Sequence, residues 1–156
     1  TKAYSRRYGE MKLKEFYKEF KSSNEKPAIM MFDIDEFKTI NDKFGHKAGD
    51  LVLKEIVCKI NHVIRSYDML IRWGGDEFLG IFPGLKIEYL KSFGEELLTE
   101  ISSLQIPFED KVIKVTISIG FSTFEETDLD FDDAIKRADD ALYKSKAEGR
   151  NKVNVL

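Results

Sequence analysis

The chain has 156 residues, 42% of them hydrophobic, and its 25 Lys and Arg against 28 Asp and Glu give a net charge of −3. That length is typical of one domain with its own core, and the slight acidic excess argues against a protein that coats nucleic acid. The single cysteine, Cys58, excludes a disulfide framework and a cysteine-rich zinc site. No apolar stretch is long enough to span a membrane and no signal peptide begins the chain, so we expect one cytoplasmic domain without membrane contact. Its abrupt, charged start suggests a domain cut from a longer protein.

Apolar periodicity predicts interleaved helices and strands, with no linker or repeat between them. The unbroken apolar run at residues 28–32 is typical of a central strand covered on both faces. Gly74-Gly75-Asp76 joins two strand-like runs into a hairpin. Because helices and strands interleave while the hairpin is antiparallel, we expect an α+β fold with a mixed, largely antiparallel sheet flanked by helices. In chain order, the predicted elements are helix 4–20, strand 28–32, helix 36–43, helix 50–64, strand 67–73, strand 77–82, helix 88–104, strand 112–121, helix 131–146 and strand 153–155.

Carboxylates follow the central strand and return at the hairpin. Asp33 ends the apolar run, and a buried carboxylate needs a partner, for which a hard cation is the simplest candidate. Asp35 has the alternative role of a helix N-cap. At the hairpin, the two glycines before Asp76 and Glu77 either supply positive φ angles to an ordinary turn or let a ligand approach the backbone. Regular strand geometry would point Asp76 and Glu77 to opposite faces, so only a distorted turn would let both bind one metal.

Two further polar groups have ordinary interpretations when each residue is taken alone. One group stands near predicted helix ends, where polar residues are common, and consists of Lys38, Asn41, His46 and Asp50. The other is Lys146 with Arg150 at the end of the last helix, where basic residues favour the helix dipole.

Taken together, the clusters form one spaced pattern, Asp33-Ile34-Asp35-x-Phe37-Lys38-x-x-Asn41-Asp42-x-x-Gly45-His46-x-x-Gly49-Asp50, followed by Gly74-Gly75-Asp76-Glu77-Phe78. This pattern resembles the nucleotide-binding segment and the signature of the GGDEF family, the diguanylate cyclases. The resemblance continues through Ser118-Ile119-Gly120, Arg137-Ala138-Asp139-x-Ala141-Leu142-Tyr143 and Lys146-x-x-Gly149-Arg150-Asn151. Residues 1–7 also resemble the family's N-terminal segment, with Ser5 in place of its usual asparagine.

The resemblance implies a palm-like fold shared with nucleotidyl cyclases, and an enzyme that condenses two GTP molecules into cyclic di-GMP and two pyrophosphates. One domain holds one GTP, and each ribose 3′-OH attacks the α-phosphorus of the other GTP across a transient homodimer. The implied cofactor is Mg²⁺, or Mn²⁺ in its place, bound by Asp33, the main-chain carbonyl of Ile34, Asp76 and Glu77. Metal ions suit this chemistry because they neutralise the triphosphate and activate the attacking oxygen.

By the same resemblance, the catalytic residues are Asp76, Glu77 and Lys38. Asp76 matches a residue proposed to accept the 3′-OH proton, and Lys38 matches a lysine that stabilises transition-state charge. The substrate-binding residues are Lys38, Asn41, His46 and Asp50, with Lys146 and Arg150 at the phosphates. Backbone N–H groups of residues 36–38 suit phosphate oxygens because they start a helix. A carboxylate at position 50 accepts hydrogen bonds from guanine N1–H and the 2-amino group together, an arrangement that adenine lacks.

The segment Arg65-Ser66-Tyr67-Asp68 matches the family's RxxD site, where cyclic di-GMP binds and inhibits. The alternative is a solvated helix end, at which an Arg–Asp pair has little effect on stability. Family members often add a second arginine from the helix after the hairpin, but none occurs here between Arg72 and Arg137. We therefore expect Arg65 and Asp68 to bind the product while cross-linking domains less firmly.

Three functions stay open at this stage. The first is an active diguanylate cyclase domain, and the second is a catalytically silent module that binds GTP or cyclic di-GMP. The third is an enzyme that makes a mixed adenine–guanine dinucleotide, which in the family goes with a changed aspartate at the position of Asp50. The intact signature and the presence of Asp50 favour the first.

Overall fold

The computed structural model describes residues 3–156. Ser5 caps the first helix, since its Oγ accepts a hydrogen bond from the Tyr8 N–H at 3.2 Å, a role that asparagine fills equally well. No helix in this part of the chain combines the length and apolar character needed to cross a membrane. In chain order, the elements are α1 (Arg6–Ser23), β1 (Ala28–Ile34), α2 (Phe37–Phe44), α3 (His46–Val63), β2 (Met69–Arg72), β3 (Glu77–Phe82), α4 (Leu90–Ser102), β4 (Ile106–Phe108), β5 (Lys111–Ile113), β6 (Ile117–Thr123), α5 (Phe131–Ala147) and β7 (Val153–Val155).

The central sheet has the strand order β2-β3-β1-β6-β7. Strand β1 is antiparallel to both of its neighbours, and β2 is antiparallel to β3. Strand β7 runs parallel to β6 at one edge. The predicted mixed, largely antiparallel sheet is confirmed.

Strand β1 is buried along its whole length because both faces of the sheet are covered. Met30 and Phe32 pack into a cluster with α3 and α4 on one face. Ile29 and Met31 pack into a second cluster with α1 and α5 on the other. The unbroken apolar run is therefore the inner strand that the sequence predicts.

Helix α5 lies unusually close to β6 at Gly120. A Cβ at this position would stand 2.1 Å from the Ala138 carbonyl oxygen and 2.3 Å from the Leu142 nitrogen, so only glycine permits the approach. One turn further along, Ser145 Oγ donates a hydrogen bond to the Ile119 carbonyl at 2.7 Å. These contacts bring the end of α5, with Lys146, to the end of β1.

Two predicted elements differ most from the structure. The single strand over residues 112–121 is divided in the structure, because β5 pairs with β4 in a separate hairpin while β6 joins the central sheet. Helix α3 begins at His46 rather than at residue 50, because Gly45 adopts φ 93° and both ends α2 and starts α3. Residues 46–50 therefore belong to the first turns of a helix.

Candidate active site

The acidic residues converge where β1 and β3 meet at one edge of the sheet. Asp33 lies directly opposite Glu77 in the register of the two strands. Asp76 precedes Glu77, and its carbonyl accepts a hydrogen bond from the Ile34 N–H at 3.3 Å. We call residues 73–77 the acidic turn. Its carboxylates lie beside the end of the buried central strand.

Asp33 is a buried carboxyl whose pKa is raised. The residue is only 8% exposed, and its Oδ1 has no hydrogen-bond partner among residues 3–156. Its Oδ2 accepts a hydrogen bond from the Lys146 ammonium. Burial raises the pKa of the Asp33 carboxyl to about 6, with further increase from Asp76 and Asp35, although Lys146 opposes the rise.

Glu77 shares this environment. Burial raises its pKa above the ordinary value, and the negative charge of Asp139 on α5 raises it further, while Lys146 lowers it. The carboxylates of Asp33, Asp76 and Glu77 are therefore balanced in part by one ammonium group. Such an arrangement attracts a cation.

Asp33, Asp76 and Glu77 fit a divalent ion that is also coordinated by a bound ligand, such as a phosphate. Within residues 3–156, no three His, Cys, Asp or Glu side chains form a ready cluster for a metal. Mg²⁺ is usually held by one or two carboxylates together with phosphate oxygens and water, so a complete protein cage is not required. The buried, unpartnered Oδ1 of Asp33 is the group that a hard cation would satisfy.

Asp35 has a structural role, and its interpretation as a helix N-cap is wrong. Its carboxylate accepts hydrogen bonds from Thr116 Oγ1 and Ser118 Oγ, both at 2.6 Å, and from the Asn151 N–H at 3.1 Å. Glu36 instead occupies the N-cap position of α2, with φ 54° and no side-chain cap bond. Asp35 thus ties the end of β1 to β6 and to the loop after α5.

The corner between α2 and α3 contains a second set of predicted residues. Asn41 lies against Gly49 so closely that a Cβ there would stand 1.9 Å from Asn41 Oδ1. That oxygen is buried and has no hydrogen-bond partner in residues 3–156. His46 and Asp50 are four residues apart on α3 and so share one face of the helix.

The remaining predicted substrate-binding residues differ in whether their side chains already contact other protein groups. Lys38, His46 and Asp50 are exposed, and none has a protein partner among the described residues. Arg150, at φ 64°, lines a cavity of about 580 Å³ together with Glu36. Lys146 is already engaged with Asp33.

Gly74 and Gly75, the two glycines of the acidic turn, do not have the backbone conformation that an ordinary glycine turn requires. Neither has the positive φ angle that the turn interpretation predicts, so that interpretation is wrong. A Cβ at Gly75 would meet nothing within 4 Å, and one at Gly74 would meet only Glu77 Cβ at 3.5 Å. The space outside these glycines is open, as close approach of a ligand to the backbone requires.

Arg65 and Asp68 lie at the other end of the β2–β3 hairpin from the acidic turn. Arg65 Nε and Nη2 donate to the two carboxylate oxygens of Asp68 at 2.9 and 2.6 Å, and Nη2 also donates to the Pro83 carbonyl at 3.0 Å. The Arg65 Cζ lies 4.6 Å from the centroid of the Tyr67 ring. Asp68 is buried, whereas the Arg65 side chain is 38% exposed. This is a formed bidentate pair, and the structure does not bring it to the acidic residues.

Comparison with known proteins identifies the sequence family. The family described as "Diguanylate cyclase, GGDEF domain" matches residues 1–152. Diguanylate cyclase A of Treponema denticola is 39% identical over 140 residues, which cover 86% of this chain and 37% of the relative. The response regulator PleD of Caulobacter vibrioides is 35% identical over 156 residues, covering 98% of this chain and 34% of PleD. The chain therefore spans about a third of the length of these curated relatives.

Solved structures agree with the sequence comparison. The GGDEF domain of DgcB from Caulobacter crescentus, in complex with c-di-GMP, matches at a TM-score of 0.94 and 30% identity, covering 99% of this chain and 92% of that one. The GGDEF domain of PA1120 from Pseudomonas aeruginosa matches at 0.91 and 26% identity, covering 99% and 97%. The fold implied by the sequence resemblance is confirmed. With a family match over residues 1–152 and structural relatives of this quality, the chain belongs to the GGDEF domain family of diguanylate cyclases.

Proposed function

We propose that this chain is a catalytically active diguanylate cyclase domain. In this proposal it binds GTP with Mg²⁺, or Mn²⁺ in its place, and two copies together form cyclic di-GMP and two pyrophosphates. The observation that carries the proposal is that buried Asp33 lies opposite Glu77 beside an intact Gly74–Glu77 signature, and that Asp33 Oδ1 has no hydrogen-bond partner in residues 3–156. The names of the relatives point to the same activity.

Asp33, Asp76 and Glu77, with the Ile34 carbonyl, would hold the divalent ion, which when bound neutralises the triphosphate and activates the ribose 3′-oxygen. The side chains of Lys38 and Arg150 have no partner among residues 3–156, and they would contact the phosphates together with the N–H groups at the start of α2. Lys146 lies at the same edge, and we assign it a further phosphate contact once nucleotide is bound.

Guanine is assigned to the corner between α2 and α3. Asn41 Oδ1 and the Asp50 carboxylate, which have no hydrogen-bond partner among residues 3–156, would be acceptors, and guanine offers its donors as the neighbouring N1–H and 2-amino groups. His46 shares the helix face of Asp50 and completes this set. Adenine does not present the same pair of donors, so these acceptors favour GTP.

The reaction joins two such half-sites. The 3′-oxygen of one GTP forms a bond to the α-phosphorus of the other, and the bond from that phosphorus to the leaving pyrophosphate breaks. In this proposal Asp76 accepts the 3′-OH proton and Lys38 stabilises the charge that develops on the phosphoryl oxygens. A second, symmetric step closes the cyclic product.

The product is assigned to Arg65 and Asp68 as an inhibitory site. Both side chains lie outside the acidic residues, so product bound there leaves the half-site accessible to GTP. The DgcB domain was solved in complex with c-di-GMP. Binding to this chain would compete with the bidentate Arg65–Asp68 pair for the same donors and acceptors.

Incubation with GTP and Mg²⁺, followed by chromatography of the nucleotides, tests the proposal. The parent protein is expected to form cyclic di-GMP, and Asp76→Ala is expected to lose at least about 100-fold of this turnover, since even outer residues of metal sites cost 10–100-fold. Circular dichroism and thermal unfolding of the variant are expected to show that it remains folded. GTP binding without any turnover by the parent would identify a silent module, and a mixed product in the presence of ATP would identify the third function.

A further inference from the structure

The acidic turn uses all of its backbone carbonyls as hydrogen-bond acceptors. The Glu77 carbonyl accepts from the N–H groups of Trp73 and Gly74 at 2.9 and 3.0 Å, which closes the turn. The Asp76 carbonyl accepts a hydrogen bond from the Ile34 N–H of β1 at 3.3 Å. The other three carbonyls, at residues 73–75, have no main-chain donor among the described residues, and each is bound by an arginine side chain.

Arg72 binds two of these three carbonyls at once. Its Nε lies 3.3 Å from the Gly74 carbonyl oxygen and 3.2 Å from that of Gly75, and its Nη2 lies 2.6 Å from the Gly75 oxygen. A guanidinium offers donors in a rigid, planar fork, so it can hold two neighbouring oxygens at a fixed separation. A lysine ammonium at this position would keep the charge and lose the fork.

Arg6 binds the third carbonyl from the start of α1. Its Cζ lies 4.1 Å from the centroid of the Trp73 ring, and its Nη1 donates to the Trp73 carbonyl at 3.4 Å. Glu10, one helical turn along, accepts from Arg6 Nε at 3.1 Å and so orients the guanidinium. Arg6 and Trp73 are 67 positions apart in the sequence, so this contact joins two distant parts of the chain.

The residues just before α1 are joined to the same strand end. The Tyr4 N–H donates to the Leu70 carbonyl at 2.9 Å, and the Arg72 N–H donates to the Tyr4 carbonyl at 2.9 Å. The backbone of Arg72 therefore binds the N-terminal segment while its side chain binds the acidic turn. The segment, the strand end and the turn are consecutive links in one hydrogen-bonded chain.

We propose that Arg72 and Arg6 are positioning residues, which hold the acidic turn in the shape that presents Asp76 and Glu77. Arg6 stands at the start of α1 and contacts the turn, so the shape of the turn depends on the position of that helix end. A displacement of the segment before α1 is therefore expected to change the shape of the turn. The consequence for turnover rests on the proposed function. The holding of the turn itself does not, and it can be measured in nucleotide-free protein.

Trp73 gives a direct probe of the turn because it is the only tryptophan in the chain. In nucleotide-free protein, Arg6→Ala is expected to shift Trp73 emission to longer wavelength and to increase its quenching by acrylamide, since the covering guanidinium is lost. Arg7→Ala is the matched control, because Arg7 is exposed, adjacent and without a partner in residues 3–156. Unchanged emission and quenching in Arg6→Ala would overturn the role of Arg6, whether or not the protein turns over GTP.

The second measurement is the Mg²⁺ concentration for half-maximal turnover at saturating GTP. Arg72→Ala is expected to raise it about tenfold or more, as loss of a residue that orients a metal ligand does, with Arg72→Lys between this variant and the parent. Arg7→Ala again serves as the control and is expected to match the parent. A lowered unfolding temperature with an unchanged Mg²⁺ requirement would make Arg72 merely structural and overturn its role. Absence of turnover in the parent would instead reject the proposed function, and Trp73 quenching in Arg72→Ala would then decide the role of Arg72.

Discussion

Asp33 and Lys146 form an ion pair in the candidate site. Asp33 is buried among other carboxylates, which favours its neutral form, whereas the hydrogen bond and charge of the Lys146 ammonium favour the charged form. A metal ligand must be deprotonated, so in the proposed function the balance at Asp33 sets the pH range in which the site can take a cation.

We predict that Asp33 titrates near pH 6 in the metal-free protein rather than near its ordinary value of 3.8. The folded state then binds this proton more tightly than the unfolded chain does, so Asp33 makes the free energy of unfolding fall as the pH rises from 3.8 to about 6. Carboxyl ¹³C shifts measured between pH 3 and pH 8 test the titration, with Asp33→Asn to assign the signal. Titration near 3.8 would contradict this account of the site.

Gly75 permits a test that separates stability from function. Its backbone is not in the left-handed region and its surroundings are open, so Gly75→Ala is expected to change stability by no more than about 0.5 kcal/mol. In the proposed function a ligand approaches the turn at Gly75, so the added methyl is expected to lower turnover at least about tenfold. Thermal unfolding and GTP turnover measure the two effects. Parental turnover in this variant would show that no close approach occurs at Gly75.

Gly120 provides the opposite control. A Cβ there would stand 2.1 Å from the Ala138 carbonyl oxygen, so Gly120→Ala is expected to destabilise the fold by displacing α5. Gly120 is therefore required for packing against α5, whereas the surroundings of Gly75 are open, although both glycines lie within motifs of the family.

At the scale of elements, the sequence predicts best those segments whose apolar pattern is local. The bounds of β3 and β7 agree with the predicted runs 77–82 and 153–155. The run 112–121 fails because its alternation continues while the chain changes its pairing partner from β4 to the central sheet. Alternation reports which residues are buried, and it does not report against which strand.

The site shows a similar division. Asp33 and Glu77 each lie at an end of a strand that the sequence predicts, and the family resemblance names both residues, although their direct pairing depends on the strand order of the sheet. The contacts of Arg6 with Trp73, and of Asp35 with Ser118, join elements far apart in sequence. No local pattern signals them, because each depends on how the sheet orders its strands.

The connection between α3 and β2 carries the proposed inhibitory site. We predict that Arg65→Ala weakens inhibition by cyclic di-GMP and leaves the initial rate unchanged, because the Arg65–Asp68 pair lies at the opposite end of the β2–β3 hairpin from the acidic turn. Progress curves with and without added cyclic di-GMP measure both quantities. Ser66→Ala, an exposed change in the same segment, is the control. Identical inhibition in parent and Arg65→Ala would assign the pair to stability alone.

At the scale of the whole molecule, stoichiometry limits what one chain can do. The proposed reaction needs two GTP molecules, and in that proposal each domain contributes one guanine-binding corner and one acidic edge. Bringing two domains together costs an estimated 4–15 kcal/mol of translational and rotational freedom. Linking the domains through a dimeric partner region would raise their effective concentration to about the mM range. Diguanylate cyclase A and PleD are about two and a half to three times the length of this chain, which leaves room for such regions in those proteins.

The most direct test of this account is the yield of cyclic di-GMP per mole of protein, measured with GTP and Mg²⁺ over a hundredfold range of protein concentration. We predict that cyclic di-GMP forms and that specific activity rises with protein concentration, because two half-sites must meet. Fusion of a leucine-zipper dimer ahead of Thr1 is expected to raise the activity at low concentration. Specific activity that stays constant on dilution, with a monomer by light scattering, would contradict the two-domain mechanism, and absence of cyclic di-GMP at every concentration would contradict the proposed activity itself.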